Sequence, residues 1–194
     1  MDRKPFPWGF ATVCGAVFLW SVLAIVVVGT ILTFPPRQSP GDAGTLLTAW
    51  LTCLCWFITT VRQLRGWEDR TTKQMSLLGL GSLILHAVIA MYCCHAWSLT
   101  TAYEFTEKQS GFGAGLYVNF SVILLWGIDW YFIGRSSPSR FWQRLIRAIR
   151  FVTAFIVFNA SVVFVSNGPR YFAMVAFVWI LFEWIRIKIW PTIR

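Results

Sequence analysis

The sequence predicts an all-α integral membrane protein, a bundle of six transmembrane helices with both termini on the cytoplasmic side. Charged residues make up only 13% of the 194 residues, about half of the fraction that covers a soluble domain. Six apolar segments follow one another along the chain. The connections between them are alternately rich and poor in basic residues, as the connections of membrane proteins are.

The whole chain is predicted to form a single membrane domain, residues 1–194. A helix needs about 20 apolar residues to cross ~30 Å of hydrocarbon. The first segment is too long for a signal peptide and no small-residue cleavage site follows it, so we interpret it as an uncleaved span. The second, fifth and sixth segments are short, and the last two could instead form a re-entrant pair. The six predicted spans cover about 9–34, 44–61, 77–101, 112–134, 151–166 and 170–187.

The basic residues fix the predicted orientation of these spans. With six spans and a cytoplasmic amino terminus, fourteen of the seventeen Lys and Arg residues lie on the inner side. Only Arg37, Lys108 and Arg170 lie on the outer side. This asymmetry is what the positive-inside rule requires, and it explains the net charge of +9 without a nucleic-acid partner. The inner residues are Arg3, Lys4, Arg62, Arg65, Arg70, Lys73, Arg135, Arg140, Arg144, Arg147, Arg150, Arg186, Lys188 and Arg194.

The segment from about 138 to 150 is predicted to form an amphipathic helix on the cytoplasmic membrane surface. Arg140, Arg144 and Arg147 fall on one helical face, and Phe141 and Trp142 lie on the opposite side. We expect the three arginines to face anionic lipids, as juxtamembrane basic clusters do, while also setting the topology.

Ionisable and amide side chains inside the predicted spans are candidates for function, because such groups are costly in hydrocarbon. In an antiparallel pairing of spans three and four, His86 reaches the depth of Asp129, and His95 reaches the depth of Asn119. We therefore expect an intramembrane pair of His86 with Asp129. We also expect an outer polar cluster of His95, Asn119 and Glu104. Each could equally be a hydrogen-bonded group that holds helices together.

Helical phase limits what the two histidines can do together. Nine positions separate His86 from His95, so in a regular α-helix they point to opposite sides. We therefore expect that they do not share one metal ion or haem. His86 and Asp129 are the only plausible candidates for metal ligands. We expect the protein to bind no cofactor.

Two local features predict helix contacts. Gly79 and Gly81 permit close helix approach near the start of span three. Glu183 lies one turn before Arg186, so an ion pair at the inner surface is expected.

Sequence motifs for catalysis are absent. No G-x-S-x-G, H-E-x-x-H, P-loop or dinucleotide fingerprint occurs. The five cysteines form no C-x-x-C pair and lie in apolar runs, where a thiol behaves as a small hydrophobe. We therefore expect a protein without enzymatic activity.

The stretch "HAVIAMYCCHAWS" is followed by "GFGAGLYVNFSVILLWGIDWYF". This order, a helix with spaced histidines, a G-x-G-L-Y-x-N segment and then W-x-x-D, resembles a group of small uncharacterised bacterial multi-span proteins. The resemblance covers residues 86–132 and implies a bacterial inner membrane but no activity. It is carried by His86, His95, Gly113, Gly115, Leu116, Tyr117, Asn119, Trp126 and Asp129.

Three functions stay open at this point. The first is a non-catalytic component of a membrane assembly, with the bilayer, anionic lipids and other membrane proteins as partners. The second is a haem- or metal-binding redox protein that uses His86, His95 and Asp129. The third is a small proton-coupled transporter or channel in which His86 and Asp129 relay protons.

Overall fold

The computed structural model describes residues 41–135, 139–160 and 168–189. These residues form helices joined by turns and contain no strand, which confirms the all-α fold for this part of the chain. The first predicted span, about 9–34, lies outside the described residues, as do Arg3, Lys4, Arg37 and Arg194.

Six helices and one π-helical segment make up the described fold. The segment Ala90–Cys94 has π-helical hydrogen bonding and continues α2 directly. The helices are α1 (Gly41–Leu64), α2 (Arg70–Ile89), α3 (Leu99–Ser110), α4 (Gly115–Phe132), α5 (Arg140–Phe158) and α6 (Gly168–Ile189).

Local sequence signals explain where α2 and α3 begin and end. The Asp69 carboxylate caps α2 by accepting from the Thr72 amide at 2.9 Å, and it also binds Arg62. Although partial burial opposes ionisation, these hydrogen bonds and the Arg62 charge hold the pKa of Asp69 below its usual value. Ser98 caps α3 in the same way, and α3 ends at Gly111 in the left-handed region, with φ of 71°.

Helices α1 and α2 form an antiparallel hairpin. Near the hairpin turn the Arg62 Nε donates to the Thr72 hydroxyl at 2.8 Å. At the opposite end the Thr48 hydroxyl lies 3.3 Å from Nδ1 of His86. The two helices therefore stay in contact along most of their length.

Helix α6 runs parallel to α1. The Trp56 ring lies 5.4 Å from the ring of Phe177, and further along both helices Arg65 reaches Glu183 at 2.5 Å. Both contacts join positions that advance in the same direction along the two helices, so the carboxyl ends of α1 and α6 lie at the same end of the bundle.

Trp126 makes a close contact between helices. Its indole Nε1 donates to the buried Ser76 hydroxyl at 2.8 Å, and its ring lies beside Gly79. A Cβ built on Gly79 would lie 2.6 Å from this ring and 2.9 Å from the Cβ of Cys55 on α1. The predicted close approach at Gly79 is therefore present, and it joins α1, α2 and α4.

The structure divides two of the predicted segments differently. The third predicted span, about 77–101, corresponds to a continuous helical stretch that ends at Cys94, and the separate helix α3 follows it. The predicted surface helix, about 138–150, and the start of the fifth predicted span form one helix, α5. The hydrophobic pattern did not predict α3 as a separate helix, because α3 contains few apolar residues.

Within the described residues, one helical stretch is long and apolar enough to cross a membrane. It is Arg70–Cys94, whose most apolar window has a mean hydropathy of 2.0. The core helix of a soluble protein can pass the same test, so this single stretch is weak support for a membrane location. The six-span arrangement stays a prediction.

The tight contact at Gly79 gives a stability prediction. Replacing Gly79 with Ala forces the Trp126 ring away from α2, and overpacking of this kind costs ~1–3 kcal/mol. Equilibrium unfolding in mixed detergent micelles measures the loss. The control is Gly127→Ala on α4, where the nearest atom to a new Cβ is 4.0 Å away, at Leu80. An equal effect of both substitutions would contradict the packing described.

Candidate functional site

Six charged side chains and the neutral amide of Gln63, here called the ionic cluster, lie where α1, α4 and α6 end. Its members come from α1, α4, α5, α6 and the turn after α1, and each is bound to another member. They are Gln63, Arg65, Glu68, Asp129, Arg150, Glu183 and Arg186.

Asp129 is the centre of one half of the ionic cluster. This residue is 6% exposed, and its carboxylate accepts from Gln63 Nε2 at 2.8 Å and from Arg150 Nε at 2.7 Å. Arg150 also donates to Glu68 at 2.8 Å through Nη1. Asp129 therefore links α4 to α1 and α5. Since Phe132, later on α4, lies 5.2 Å from Trp142, earlier on α5, these two helices run antiparallel.

Glu183 is the centre of the other half. It is 2% exposed and binds Arg65 at 2.5 Å and Arg186 at 2.8 Å. The expected pair with Arg186 is present, and Arg65 adds a connection to α1. Two guanidinium groups compensate one buried carboxylate, which offsets the cost of removing its charge from water.

The structure does not bring His86 and Asp129 together. Trp126 donates a hydrogen bond to Ser76, and Lys73 lies 5.1 Å from the centre of the Trp130 ring. Because Asp129 directly precedes Trp130, it lies close to the depth of Lys73. His86 is about three and a half turns further along α2. The predicted pairing depth was wrong because the helical stretch ends at Cys94 and α3 occupies much of the connection to α4.

A cavity of about 820 Å³, here called the histidine cavity, lies between α1, the end of α2, the π segment, α3, α4 and the facing parts of α5 and α6. Both His86 and His95 line it, together with Asn119. Its described lining contains aromatic, aliphatic and small polar side chains, and none of these lining residues is Lys, Arg, Asp or Glu. Glu104 of the predicted outer cluster is exposed on α3 and does not line the cavity.

The hydrogen bonds of His86 define its tautomer. Its Nδ1 lies 2.9 Å from the Thr45 carbonyl oxygen, which can only accept a hydrogen bond. Nδ1 therefore carries the proton and donates it to this carbonyl. In the neutral imidazole Nε2 is then an acceptor.

His95 is buried without a full set of partners. It is 9% exposed, its ring packs edge-on against Phe105 at 5.3 Å, and its Nδ1 has no hydrogen-bond partner within the described residues. Buried nitrogen atoms of this kind are rare in native structures.

The π segment explains why both histidines line one cavity. A π-helix has more residues per turn than an α-helix, so side chains beyond it are rotated relative to regular α-helical positions. Trp97 then closes the end by donating from its amide to the Met91 carbonyl at 2.8 Å, while Ala96 and Trp97 have positive φ. Both histidines line this cavity, although a regular α-helix would point them to opposite sides.

Metal ligation needs several donors at one point. Among the described residues, no group of three or more His, Cys, Asp or Glu side chains lies close enough to hold a metal ion. Asp129, expected as a partner of His86 in such a site, is bound in the ionic cluster instead.

The predicted lipid-facing arginines lie on the surface. Arg140, Arg144 and Arg147 are exposed on α5. Arg150 instead points into the ionic cluster, which sequence reasoning did not identify. Its position was a detectable signal, since at 100° per residue it lies about a quarter-turn from the other three.

Comparison of the chain with known protein families, with curated proteins and with solved structures finds no match. The resemblance of the hairpin to small bacterial multi-span proteins therefore stays a prediction.

The ionic cluster gives a second stability prediction. Asp129→Asn leaves the partly buried Arg150 with only Glu68 as a charged partner, and we expect a loss of ~2–3 kcal/mol. The control is Asp69→Asn, which keeps an acceptor for the helix cap and removes only an exposed ion pair, worth ~1 kcal/mol or less. Unfolding in detergent measures both. A larger loss for Asp69→Asn would contradict the central place of Asp129.

Proposed function

We propose that the chain is an integral protein of the bacterial cytoplasmic membrane, with six spans and both termini in the cytoplasm. We propose further that it acts as a non-catalytic component of a membrane assembly. The observation that carries the proposal is the collection of ionised side chains at one end of the bundle.

The distribution of basic residues supports this orientation. The ends of helices that meet at the ionic cluster hold most of the described Lys and Arg residues. Lys108 at the end of α3 and Arg170 at the start of α6 belong to the opposite end. Basic residues at the cluster end are Arg62, Arg65, Arg70, Lys73, Arg135, Arg140, Arg144, Arg147, Arg150 and Arg186.

Helix directions and lengths support several crossings. Apart from α3, successive helices alternate in direction, as shown by the contacts of α1 with α2, α2 with α4, α4 with α5 and α1 with α6. Helices α1, α2, α4 and α6 have between 18 and 24 residues, which corresponds to ~27–36 Å at 1.5 Å per residue. That length matches ~30 Å of hydrocarbon.

Large apolar side chains cover the outer surface. Leu124 is 67% exposed, Phe151 is 74% exposed and Val178 is 68% exposed, on three different helices. A soluble protein rarely exposes continuous apolar surface of this kind, whereas lipid solvates it. The exposed Arg140, Arg144 and Arg147 are suited to anionic lipid headgroups at the cytoplasmic surface.

The ion pairs made by the buried carboxylates support a structural role for them and not a role in proton transport. Asp129 and Glu183 are each bound to arginine and stabilise helix contacts. The relay of the transporter hypothesis required Asp129 beside His86, and the two residues have different partners. The transporter hypothesis therefore lacks the pair of His86 with Asp129 on which it depended.

Fusions of reporter proteins test the topology. With six spans, green fluorescent protein fused after Arg194 or in the connection near residue 136 is fluorescent, because it remains in the cytoplasm. Alkaline phosphatase fused near Ser110 or near residue 167 is active, because it is exported. Phosphatase activity at the carboxyl terminus would contradict the orientation.

The redox hypothesis keeps one supporting observation, since both histidines line one cavity. Purified protein is expected to be colourless and free of stoichiometric metal, as measured by its absorption spectrum and by elemental analysis. A Soret band that His86→Ala or His95→Ala abolishes would replace the proposed function with the redox one.

A further inference from the structure

We propose that the histidine cavity binds a neutral lipid whose head carries a hydroxyl group. The proposal rests on the membrane location proposed above, because such a ligand reaches the cavity from the bilayer.

The size and the charge of the cavity restrict the ligand. A volume of about 820 Å³ lies within the usual range for small-molecule sites. None of the described lining residues carries a full charge, apart from histidines that can become protonated. A phosphate or carboxylate head would therefore be buried without a compensating cation, which is costly. Neutral lipids do not carry this cost.

His86 distinguishes among neutral head groups. Because Nδ1 donates to the Thr45 carbonyl, Nε2 offers a lone pair. A lone pair is complementary to a hydroxyl or amide donor and not to an ester or ketone. Asn119 also lines the cavity, and the pairing of Ser76 with Trp126 places it near the depth of His86.

His95 supplies a second polar contact at the same cavity. It is 9% exposed and its Nδ1 is buried without a partner. A buried N–H without an acceptor is rarer than an unpaired acceptor, so the proton belongs on Nε2. His95 is then a donor, and the two histidines offer one acceptor and one donor to a ligand. A hydroxyl group can use both kinds of contact.

Aromatic and aliphatic walls complete the site. Trp50, Phe105, Phe112 and Phe155 line the cavity with the aliphatic side chains of α2 and α4. These surfaces suit an acyl or prenyl chain. The combination of an apolar wall with a few neutral hydrogen-bonding groups is typical of ligand sites.

Photo-crosslinking with two matched probes tests the proposal. One probe is a 16-carbon alcohol with a diazirine in its chain, and the other has the same chain and ends in a carboxylate. Full-length protein in nanodiscs is irradiated with each probe at pH 8, and labelled residues are mapped by mass spectrometry. We expect the alcohol to label cavity residues about fivefold more than the acid does, the scale of one hydrogen bond. Equal labelling by both probes would overturn the proposal.

Two adjacent substitutions locate the site. Ala87 lines the cavity, whereas Val88 is 39% exposed and is not among the lining residues. Ala87→Phe fills the cavity and is expected to reduce labelling several-fold, while Val88→Phe leaves it unchanged. His86→Leu removes the acceptor and is expected to lower the alcohol-to-acid ratio, and His86→Gln, which keeps an acceptor, is expected to preserve it. The ratio is measured within one protein, so partial loss of folded material does not affect it.

Competition identifies the source of the hydroxyl. An unlabelled prenylated hydroquinone and an unlabelled diacylglycerol are each added before irradiation, and displacement by either supports the proposal and names the lipid. Displacement by neither would contradict it. Absence of cavity labelling would mean that another occupant, such as the predicted first span at 9–34, fills the space, and would also overturn the proposal. The reporter fusions test the membrane location separately.

Discussion

The contact of Trp126 with Gly79 and Ser76 determines how the described helices fit together. The indole occupies the space that a side chain at position 79 would need, and its N–H is satisfied by the Ser76 hydroxyl. This single contact sets the depth of α4 against α2. Because of that depth, Asp129 lies beside Gln63 and Arg150, and Asn119 lies near His86 at the histidine cavity.

Polar groups in this bundle are separated by type. Full charges collect in the ionic cluster, where each buried carboxylate binds at least one arginine. The histidine cavity at the other part of the bundle has neutral polar groups only. In the membrane location proposed above, water and lipid headgroups would solvate the charges at the cluster end, whereas a cavity within hydrocarbon would favour uncharged hydrogen-bonding groups. The separation of charged from neutral polar groups therefore follows from the cost of burying a charge away from water.

The sequence predicted the helical class and the end of the bundle that is rich in charge, because composition and charge alternation do not depend on packing detail. It also predicted the close approach at Gly79 and the pair of Glu183 with Arg186, since both follow from local spacing.

The predicted pair of His86 with Asp129 was wrong. The depth at which residues of α2 and α4 meet depends on the length of the connection between them, and that connection contains α3, whose sequence has few apolar residues. The cavity that His95 shares with His86 was not predicted, because a π segment has no reliable sequence pattern. Arg150 was counted only among the inner basic residues, and its contacts with Asp129 and Glu68 were not predicted, although its angle on the helix differs from that of the three exposed arginines.

The π segment Ala90–Cys94 also has a consequence for how the sequence can change. A π turn is equivalent to an α-helix with one residue inserted, and the insertion is absorbed within a single turn. Removing one residue from this segment would restore regular α-helical geometry without shortening the helix appreciably. It would rotate His95, and the turn at Ala96 and Trp97 that leads to α3, by roughly 100° about the helix axis. The composition of the chain would hardly change, yet the outer wall of the cavity would be lost. Chain length at this point is therefore as restricted as residue identity.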